Sequence, residues 1–163
     1  MRIRQATYHD INALTEIFAY AREQMANDGN PTQWGDGYPE LSQIEEDISQ
    51  GICYVLTEDE KVCGTFVFII GEDPTYRFIE DGKWLNDLPY GTIHRIASNG
   101  QHKGIFQYVL NWCTQQCPNI RIDTHQANMR MKYLVERAGF HRCGIIYTRS
   151  NSPRIAYQLK IES

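Results

Sequence analysis

The sequence predicts a single α/β (α+β) domain over residues 1–163, with a mixed central sheet flanked by helices. Strand and helix patterns follow in the order strand, two helices, hairpin, strand, helix, strand, helix and two final strands. The strand–helix–strand unit around residues 105–117 predicts a locally parallel strand pair, because a helical crossover returns the chain in the same direction. Sheets of this kind bind ligands at the carboxyl ends of the parallel strands.

Composition and charge narrow the classes of function. The chain has 20 acidic and 16 basic residues, and its net charge of −4 argues against nonspecific nucleic-acid binding. No apolar run approaches the roughly 18–20 residues that span a membrane, and residues 1–4 begin no signal peptide, so we expect a cytoplasmic protein. Five scattered cysteines lack a partner set at metal spacing, which predicts buried reduced thiols and no metal site (Cys53, Cys63, Cys113, Cys117, Cys143).

The first half of the chain predicts a strand, two helices and a hairpin. Residues 2–7 alternate as a short strand, and Thr7 with Asp10 forms a capping-box pattern at the start of a helix. That helix carries an apolar face and stops at residues 28–31 (Ile11, Leu14, Phe18, Ala21, Met25). After a loop rich in aromatic residues and glycine, a second helix carries Leu41, Ile44 and Ile48 and ends at Gly51. Strands at 52–57 and 62–70 flank a polar turn, which indicates a hairpin.

The second half alternates strands and helices after an irregular segment at 71–88. We expect a central strand at 92–98, a helix from Gly104 to Pro118, and a strand at 120–125. A helix over 128–138, closed by Gly139, precedes two final strands at 141–148 and 154–161. The helix after Gly104 has a continuous apolar stripe, which predicts that this side faces the core (Phe106, Val109, Leu110, Cys113, Cys117).

The turn between the central strand and this helix is the most informative feature of the sequence. It holds Gly100, Gln101, His102, Lys103 and Gly104. A helix N-terminus presents N–H groups without helical acceptors and a partial positive charge, so it binds phosphate readily. Two glycines let a pyrophosphate approach the main chain, and a lysine adds charge. The turn therefore predicts a ligand that bears phosphate.

Two familiar phosphate-binding patterns are absent from this turn. A P-loop requires G-x-x-x-x-G-K-[S/T], whereas Gly104 is followed by Ile105 and Phe106. A dinucleotide fingerprint requires G-x-G-x-x-G at the first strand–helix turn, whereas Gly100 and Gly104 stand alone in mid-chain. Neither class of nucleotide site is predicted.

The turn does resemble the acyl-CoA motif Q/R-x-x-G-x-G/A of the GNAT superfamily of N-acetyltransferases. Gln101 and Gly104 match its first and fourth positions, and Phe106 departs from the last. Residues 128–140 are similar to a second family pattern, N-x-x-A-x-x-[L/F]-Y-x-K-x-G-F. The order of elements along essentially the whole chain also resembles that of the family. The resemblance implies a splayed parallel strand pair that holds acetyl-CoA.

The resemblance also implies which residues hold the donor. Backbone groups of Ile96, Ala97 and Ser98 would pair with the pantetheine amides. N–H groups along the turn would hold the pyrophosphate (Gln101, His102, Lys103, Gly104, Ile105, Phe106). Asn128 would contact the pantetheine or thioester end. Lys103 could supply additional positive charge to the phosphates.

Two positions depart from the family pattern. Phe106 replaces a small residue, but its place on the apolar stripe favours a side chain that points into the core. The tyrosine that often protonates the departing thiolate would fall at Val135. Tyr133 lies about 200° away around the helix at 3.6 residues per turn, so it cannot take that place.

Histidines supply the candidate acid–base groups, because their ordinary pKa lies near neutrality. His94 lies on the central strand and shares a face with Ile96 and Ser98. His125 ends the next strand on the face of Asp123, which could orient its imidazole. A structural, hydrogen-bonded role is an open alternative for each histidine. Arg95 lies on the opposite face from His94, where we expect a structural ion pair.

The acceptor side is less defined. By resemblance, the loop between the first two helices borders the acceptor pocket, so Gln33, Trp34 and Tyr38 are candidate substrate-binding residues. A hydrophobic cluster that fixes the loop is an equally favoured interpretation. Glu80 and Asp81 suggest a cationic acceptor, although acidic clusters are usually solvated surface.

The sequence thus predicts an acetyl-CoA-dependent N-acetyltransferase that acts on a primary amine of a small molecule, amino acid or peptide. It would be a monomer or a homodimer. A non-catalytic acyl-CoA-binding module on the same fold is the main alternative. A nucleotide-utilising transferase and a pure interaction domain are the others.

Overall fold

The computed structural model describes residues 1–159, which form a mixed sheet with four α-helices. The strands are β1 (Arg2–Gln5), β2 (Cys53–Glu58), β3 (Lys61–Ile70), β4 (Gly91–Ser98), β5 (Ile120–Thr124), β6 (Phe140–Tyr147) and β7 (Pro153–Leu159). The helices are α1 (Ile11–Asn27), α2 (Leu41–Ser49), α3 (Ile105–Gln116) and α4 (Met129–Arg137). Each predicted element is present, with ends shifted by one or two residues. The predicted last strand also covered residues 160 and 161, which lie outside the described residues.

The seven strands lie in the order β1-β2-β3-β4-β5-β7-β6. β4 and β5 run parallel, with Gly91 opposite Ile120 and Thr92 opposite Arg121. The β1–β2, β2–β3, β5–β7 and β6–β7 pairs are antiparallel. The predicted mixed sheet and its parallel pair are therefore confirmed.

Residues 1–68 and 93–109 form one compact unit. Its core joins α1 and α2 to β2 and to Ala97 of β4, with Leu14 and Val55 fully buried. α1 ends where predicted, and Gly29 then adopts φ +85°, which suits a residue without a Cβ atom. Leu41 was expected on the apolar face of α2, but it is 53% exposed because it is the first residue of that helix.

The second unit comprises residues 69–92 and the chain from Leu110 onward. Its aromatic core contains Tyr76, Tyr90, Ile146 and Ala156. The segment predicted to be irregular contains a 3₁₀ turn at Pro74–Tyr76 and one isolated bridge between Glu80 and Ile145, and it is otherwise made of bends and irregular backbone. Side-chain amides fix its end, since Asn119 donates to the carbonyls of Leu88 and Pro89.

The cysteine prediction is confirmed, since all five cysteines are buried free thiols. Burial raises the pKa of the Cys53 thiol to about 11, so this residue is a core group rather than a nucleophile. Residues 1–159 hold no group of three or more His, Cys, Asp or Glu side chains that could bind a metal ion. Over the same residues, no helix has the length and apolarity that a membrane crossing requires.

Candidate functional site

The turn from β4 to α3 has the sharp form that its glycines predicted. Gly100 and Gly104 adopt φ values of +77° and +75°. Ser98 Oγ accepts the N–H of Gly100 at 3.3 Å, and Asn99 Oδ1 accepts the N–H of Gln101 at 3.0 Å. These two short-range bonds order the first half of the turn. The helix begins immediately after Gly104.

The two glycines differ in their surroundings. A Cβ atom at Gly100 would lie 2.3 Å from the hydroxyl oxygen of Tyr20 in α1, so a side chain there would have to displace the Tyr20 ring. A Cβ atom at Gly104 would have no neighbour within 4 Å. Gly104 thus exposes the main chain where the helix starts, which is the opening that a pyrophosphate needs. The residues present at this turn fit a CoA-type ligand.

The start of α3 lies directly behind the glycine turn. The N–H of Tyr108 donates to the carbonyl of Gly104 at 3.0 Å, which closes the first helical turn. The backbone of this first turn carries the positive end of the helix dipole. The side chain of Phe106 is buried, so the predicted core role of this residue is confirmed. Lys103 and Gln101 are exposed, and His102 is half-buried.

Within strand β4, Arg95 has a φ of +49°. A left-handed residue within a strand is typical of a β-bulge and redirects the backbone groups beside it. His94 and Ile96, the neighbours of Arg95, are half-buried, whereas Ala97 packs in the core of the first unit. His94, Ile96 and Ser98 are all half-buried, and their position on one face stays a prediction.

Arg95 forms the ion pair that the sequence predicted, with Asp47 of α2. Its Nε and Nη2 donate to the two carboxylate oxygens, each at 2.9 Å, and both side chains are largely buried. Its Nη1 donates to the hydroxyl of Tyr38 at 2.9 Å. Burial by itself lowers the pKa of the Arg95 guanidinium, but Tyr38 and Asp47 outweigh it and the net shift is upward. Arg95 is therefore a permanent cation beside the candidate donor strand.

The three candidate acceptor residues each have a partner in the first unit. Gln33 Oε1 accepts from Asn30 Nδ2 at 2.8 Å. The Trp34 ring meets the edges of Phe18 and Tyr38, with centroids 5.7 and 6.2 Å apart. The hydrophobic cluster that was one interpretation of this loop is therefore present. Contact of Gln33, Trp34 or Tyr38 with a substrate stays a prediction.

A shallow cleft of about 180 Å³ adjoins this loop. Phe18 and Ile44 contribute apolar surface, while Arg22 and Glu40 contribute opposite charges. The remaining lining residues come from α1, the loop and the start of α2 (Thr15, Gly37, Pro39, Leu41). Sequence reasoning missed this cleft, because nothing in the spacing of these residues shows that α1 and α2 leave room between them.

The second unit places His125 and Asn128 between β5 and α4. The Nδ1 atom of His125 accepts the N–H of Ala127 at 3.0 Å, so the neutral imidazole carries its proton on Nε2. Burial and the positive charge of Arg154 lower the pKa of His125. A neutral ring with an engaged Nδ1 suits a hydrogen-bond donor better than a base. Asn128 Oδ1 accepts the N–H of Met131 at 3.0 Å and thereby caps α4.

Asp123 and two residues of α4 were also considered in the sequence analysis. Asp123, which was expected to orient His125, accepts the hydroxyl of the buried Tyr76 at 2.6 Å. Val135 is fully buried, so the usual tyrosine position of the GNAT pattern is a core position in this chain. Tyr133 is exposed and accepts from Arg137 at 2.6 Å, which confirms that it does not occupy the position of Val135.

Comparison with solved structures identifies the class of protein. A GNAT-family acetyltransferase from Streptococcus agalactiae has 32% sequence identity and a TM-score of 0.89, and the alignment covers 99% of this chain and 96% of that one. A putative acetyltransferase from Staphylococcus aureus has 25% identity and a TM-score of 0.70 over 99% and 100% of the two chains. A GNAT-family acetyltransferase from Listeria monocytogenes shares the fold at 18% identity and a TM-score of 0.71, over 98% and 94%.

No protein-family model and no curated protein matches the sequence. The fold and the similarity to the streptococcal structure define an acetyltransferase. The chain belongs to the GNAT superfamily, and the family resemblance drawn from its motifs is confirmed.

Proposed function

We propose that this protein transfers the acetyl group of acetyl-CoA to a primary amine of a small molecule, an amino acid or a peptide. The observation that supports this most directly is the open main chain at Gly104, at the N-terminus of α3. An ordered turn that ends in an unobstructed helix N-terminus suits a pyrophosphate. Membership of the GNAT superfamily makes acetyl-CoA the ligand to test first.

In this proposal the donor is held mainly by the main chain. N–H groups from Gln101 to Phe106 bind the pyrophosphate, and the exposed Lys103 adds a positive charge. Backbone groups of Ile96, Ala97 and Ser98 pair with the pantetheine amides. The left-handed residue at position 95 supports this assignment, because a positive φ within a strand changes the direction of the main-chain groups beside it.

The proposed acetyl transfer requires a base for the amine but no strong acid for the leaving group. A lysine-like amine has a pKa of about 10.4, so its nitrogen must lose a proton before it attacks. His94 is our candidate for the group that accepts this proton, directly or through a water molecule. Bound acetyl-CoA supplies a thioester that expels CoA as a thiolate. The conjugate thiol has a pKa of about 8.5 by analogy with cysteine, so the thiolate leaves without a strong acid. The valine at position 135 is therefore compatible with turnover.

His125 and Asn128 have different proposed roles. With Nδ1 engaged by Ala127, the neutral ring of His125 carries its proton on Nε2, so we assign His125 as a hydrogen-bond donor rather than a base. Asn128 is assigned to the pantetheine or thioester end by the family pattern. Its Oδ1 caps α4, which fixes the orientation of the side chain.

Gln33, Trp34 and Tyr38 are the proposed acceptor-side residues. Their loop is ordered by internal contacts, so it can present a fixed surface to an incoming amine. The adjoining cleft supplies Glu40, a carboxylate that suits an acceptor with a positive charge. An amine acceptor with an apolar portion matches the mixed lining of that cleft.

Calorimetric titration of the purified protein with acetyl-CoA tests the donor assignment. We expect micromolar binding of acetyl-CoA, weaker binding of dephospho-CoA and no binding of ATP. A panel of polyamines, free amino acids and short peptides then tests turnover by the release of CoA thiol. Binding without turnover across that panel would favour a non-catalytic acyl-CoA-binding module. Absence of binding would remove the donor assignment itself.

A further inference from the structure

We propose that Arg95 is a positioning residue that couples the donor-binding strand to the acceptor loop. The inference rests on the proposed function for the identity of the two sides, but its geometry lies entirely within the first unit. The guanidinium of Arg95 contacts α2 through Asp47 and the loop through Tyr38. The backbone of Arg95 has the left-handed conformation within β4. No other described residue with a positive φ, glycines aside, lies within a strand.

The first step in the argument is the cost of the kink. A left-handed conformation at a residue other than glycine costs on the order of 1–3 kcal/mol and persists only where the surroundings impose it. Here the two parallel hydrogen bonds to Asp47 hold the side chain, and therefore the Cα position, of Arg95. The bidentate geometry is specific to a guanidinium, because an ammonium cannot form two parallel bonds to one carboxylate.

The second step is the bond from Arg95 to the loop. Nη1 donates to the Tyr38 hydroxyl, and the Tyr38 ring packs against Trp34. Arg22 of α1 also donates to the carbonyl of Tyr38, at 3.2 Å. The position of the loop therefore depends on the same guanidinium that holds the strand. A shift of β4 on donor binding would move the support of the loop.

This arrangement differs from an ordinary structural ion pair. The pair between Arg4 and Asp10 is also bidentate, at 2.8 and 2.9 Å, and lies in the same unit. It supports the start of the first helical segment and has no bond to the acceptor loop. Arg4, whose side chain is 46% exposed against 13% for Arg95, is therefore a control for the loss of a guanidinium–carboxylate pair at a more exposed position. Tyr8, which is 58% exposed, is a control for the removal of a tyrosine hydroxyl.

Hydrogen–deuterium exchange of the ligand-free protein tests whether the bond from Arg95 to Tyr38 holds the acceptor loop in place. Tyr38→Phe should accelerate exchange in residues 33–38 about tenfold, because a hydrogen bond to a charged group is lost, and should leave residues 93–98 within twofold. Arg95→Lys should accelerate both segments. Arg4→Lys and Tyr8→Phe should change neither. Unchanged exchange of residues 33–38 in Tyr38→Phe would overturn the inference, whatever the ligand.

Exchange with saturating acetyl-CoA tests the coupling. In the wild-type protein, binding should slow exchange of residues 33–38 at least threefold, in addition to residues 93–98. Tyr38→Phe should bind acetyl-CoA within twofold of the wild-type affinity, yet lose the protection of residues 33–38. Protection retained in this variant would overturn the coupling. Failure of the wild-type protein to bind acetyl-CoA would instead contradict the proposed function, and with it the donor side of the coupling.

Discussion

The hydroxyl of Tyr20 lies directly above Gly100, so closely that a Cβ atom on that glycine would be 2.3 Å from it. The side chain of Tyr20 in α1 thus lies against the turn that follows β4. Gly104, four residues later, has a similar left-handed φ, but a Cβ atom on it would have no neighbour within 4 Å. The same residue type therefore serves packing at one end of the turn and ligand access at the other.

This contrast predicts unequal effects of alanine at the two glycines. Gly100→Ala should lower the free energy of unfolding by about 1–3 kcal/mol, because strain in φ adds to the displacement of the Tyr20 side chain. Gly104→Ala should cost about 1 kcal/mol, from the backbone alone. Urea denaturation checks both values. Combining Gly100→Ala with Tyr20→Ala should recover part of the loss; equal destabilisation by the two single variants would contradict the packing role of Tyr20.

Tyr76 should contribute to stability through its bond to Asp123. Its hydroxyl is in a fully buried side chain and donates to a carboxylate at 2.6 Å, and burial raises its pKa well above the ordinary value. Tyr76→Phe should therefore lower the free energy of unfolding by about 1.5–3 kcal/mol, the range for a hydrogen bond to a charged group. Tyr8→Phe serves as the exposed control. A loss no larger than that of the control would show that water replaces the Tyr76 bond.

His125 should make stability depend on pH in one direction. Burial and Arg154 lower its pKa in the folded protein below the ordinary value of 6.5. As pH falls through 6.5, the unfolded chain takes up the proton first, so the folded state loses stability until its own pKa is reached. Urea denaturation between pH 5 and 8 should show this loss, and His125→Gln should flatten it. An undiminished slope in His125→Gln would contradict the role of this residue.

The imidazole titration of His125 provides a direct check on the same shift. Its NMR midpoint should lie below 6.5, with the proton of the neutral ring on Nε2. A midpoint above 6.5 would mean that the ring is held as a cation. That result would also remove the proposed neutral donor role.

Much of the fold could be predicted because local signals coincide with the ends of its elements. Gly29, Gly51 and Gly139 follow helices and adopt the left-handed conformation that ends them. The stripe that contains Phe106 and Cys113 is buried because its spacing matches one face of a helix. These features depend on residues that are close in the sequence.

The parts that could not be predicted depend on distant contacts. A positive φ at Arg95 has no local signal, and the partner of its side chain, Asp47, is 48 residues away. The pairing of Asp123 with Tyr76 spans 47 residues and displaced the expected contact with His125. Asn128 illustrates the opposite case, because an asparagine before a helix is itself a capping signal. Its structural role could therefore have been predicted from the sequence.

The measurement that tests the donor site most directly compares acetyl-CoA binding to Gly104→Asp and Gly29→Asp by calorimetry. Both glycines have left-handed φ values and open surroundings, so the two variants carry similar backbone strain. The carboxylate at position 104 should repel the pyrophosphate and weaken binding at least tenfold, whereas Gly29→Asp should bind within twofold of the wild-type protein. Undiminished binding by Gly104→Asp would contradict the placement of the donor at the start of α3.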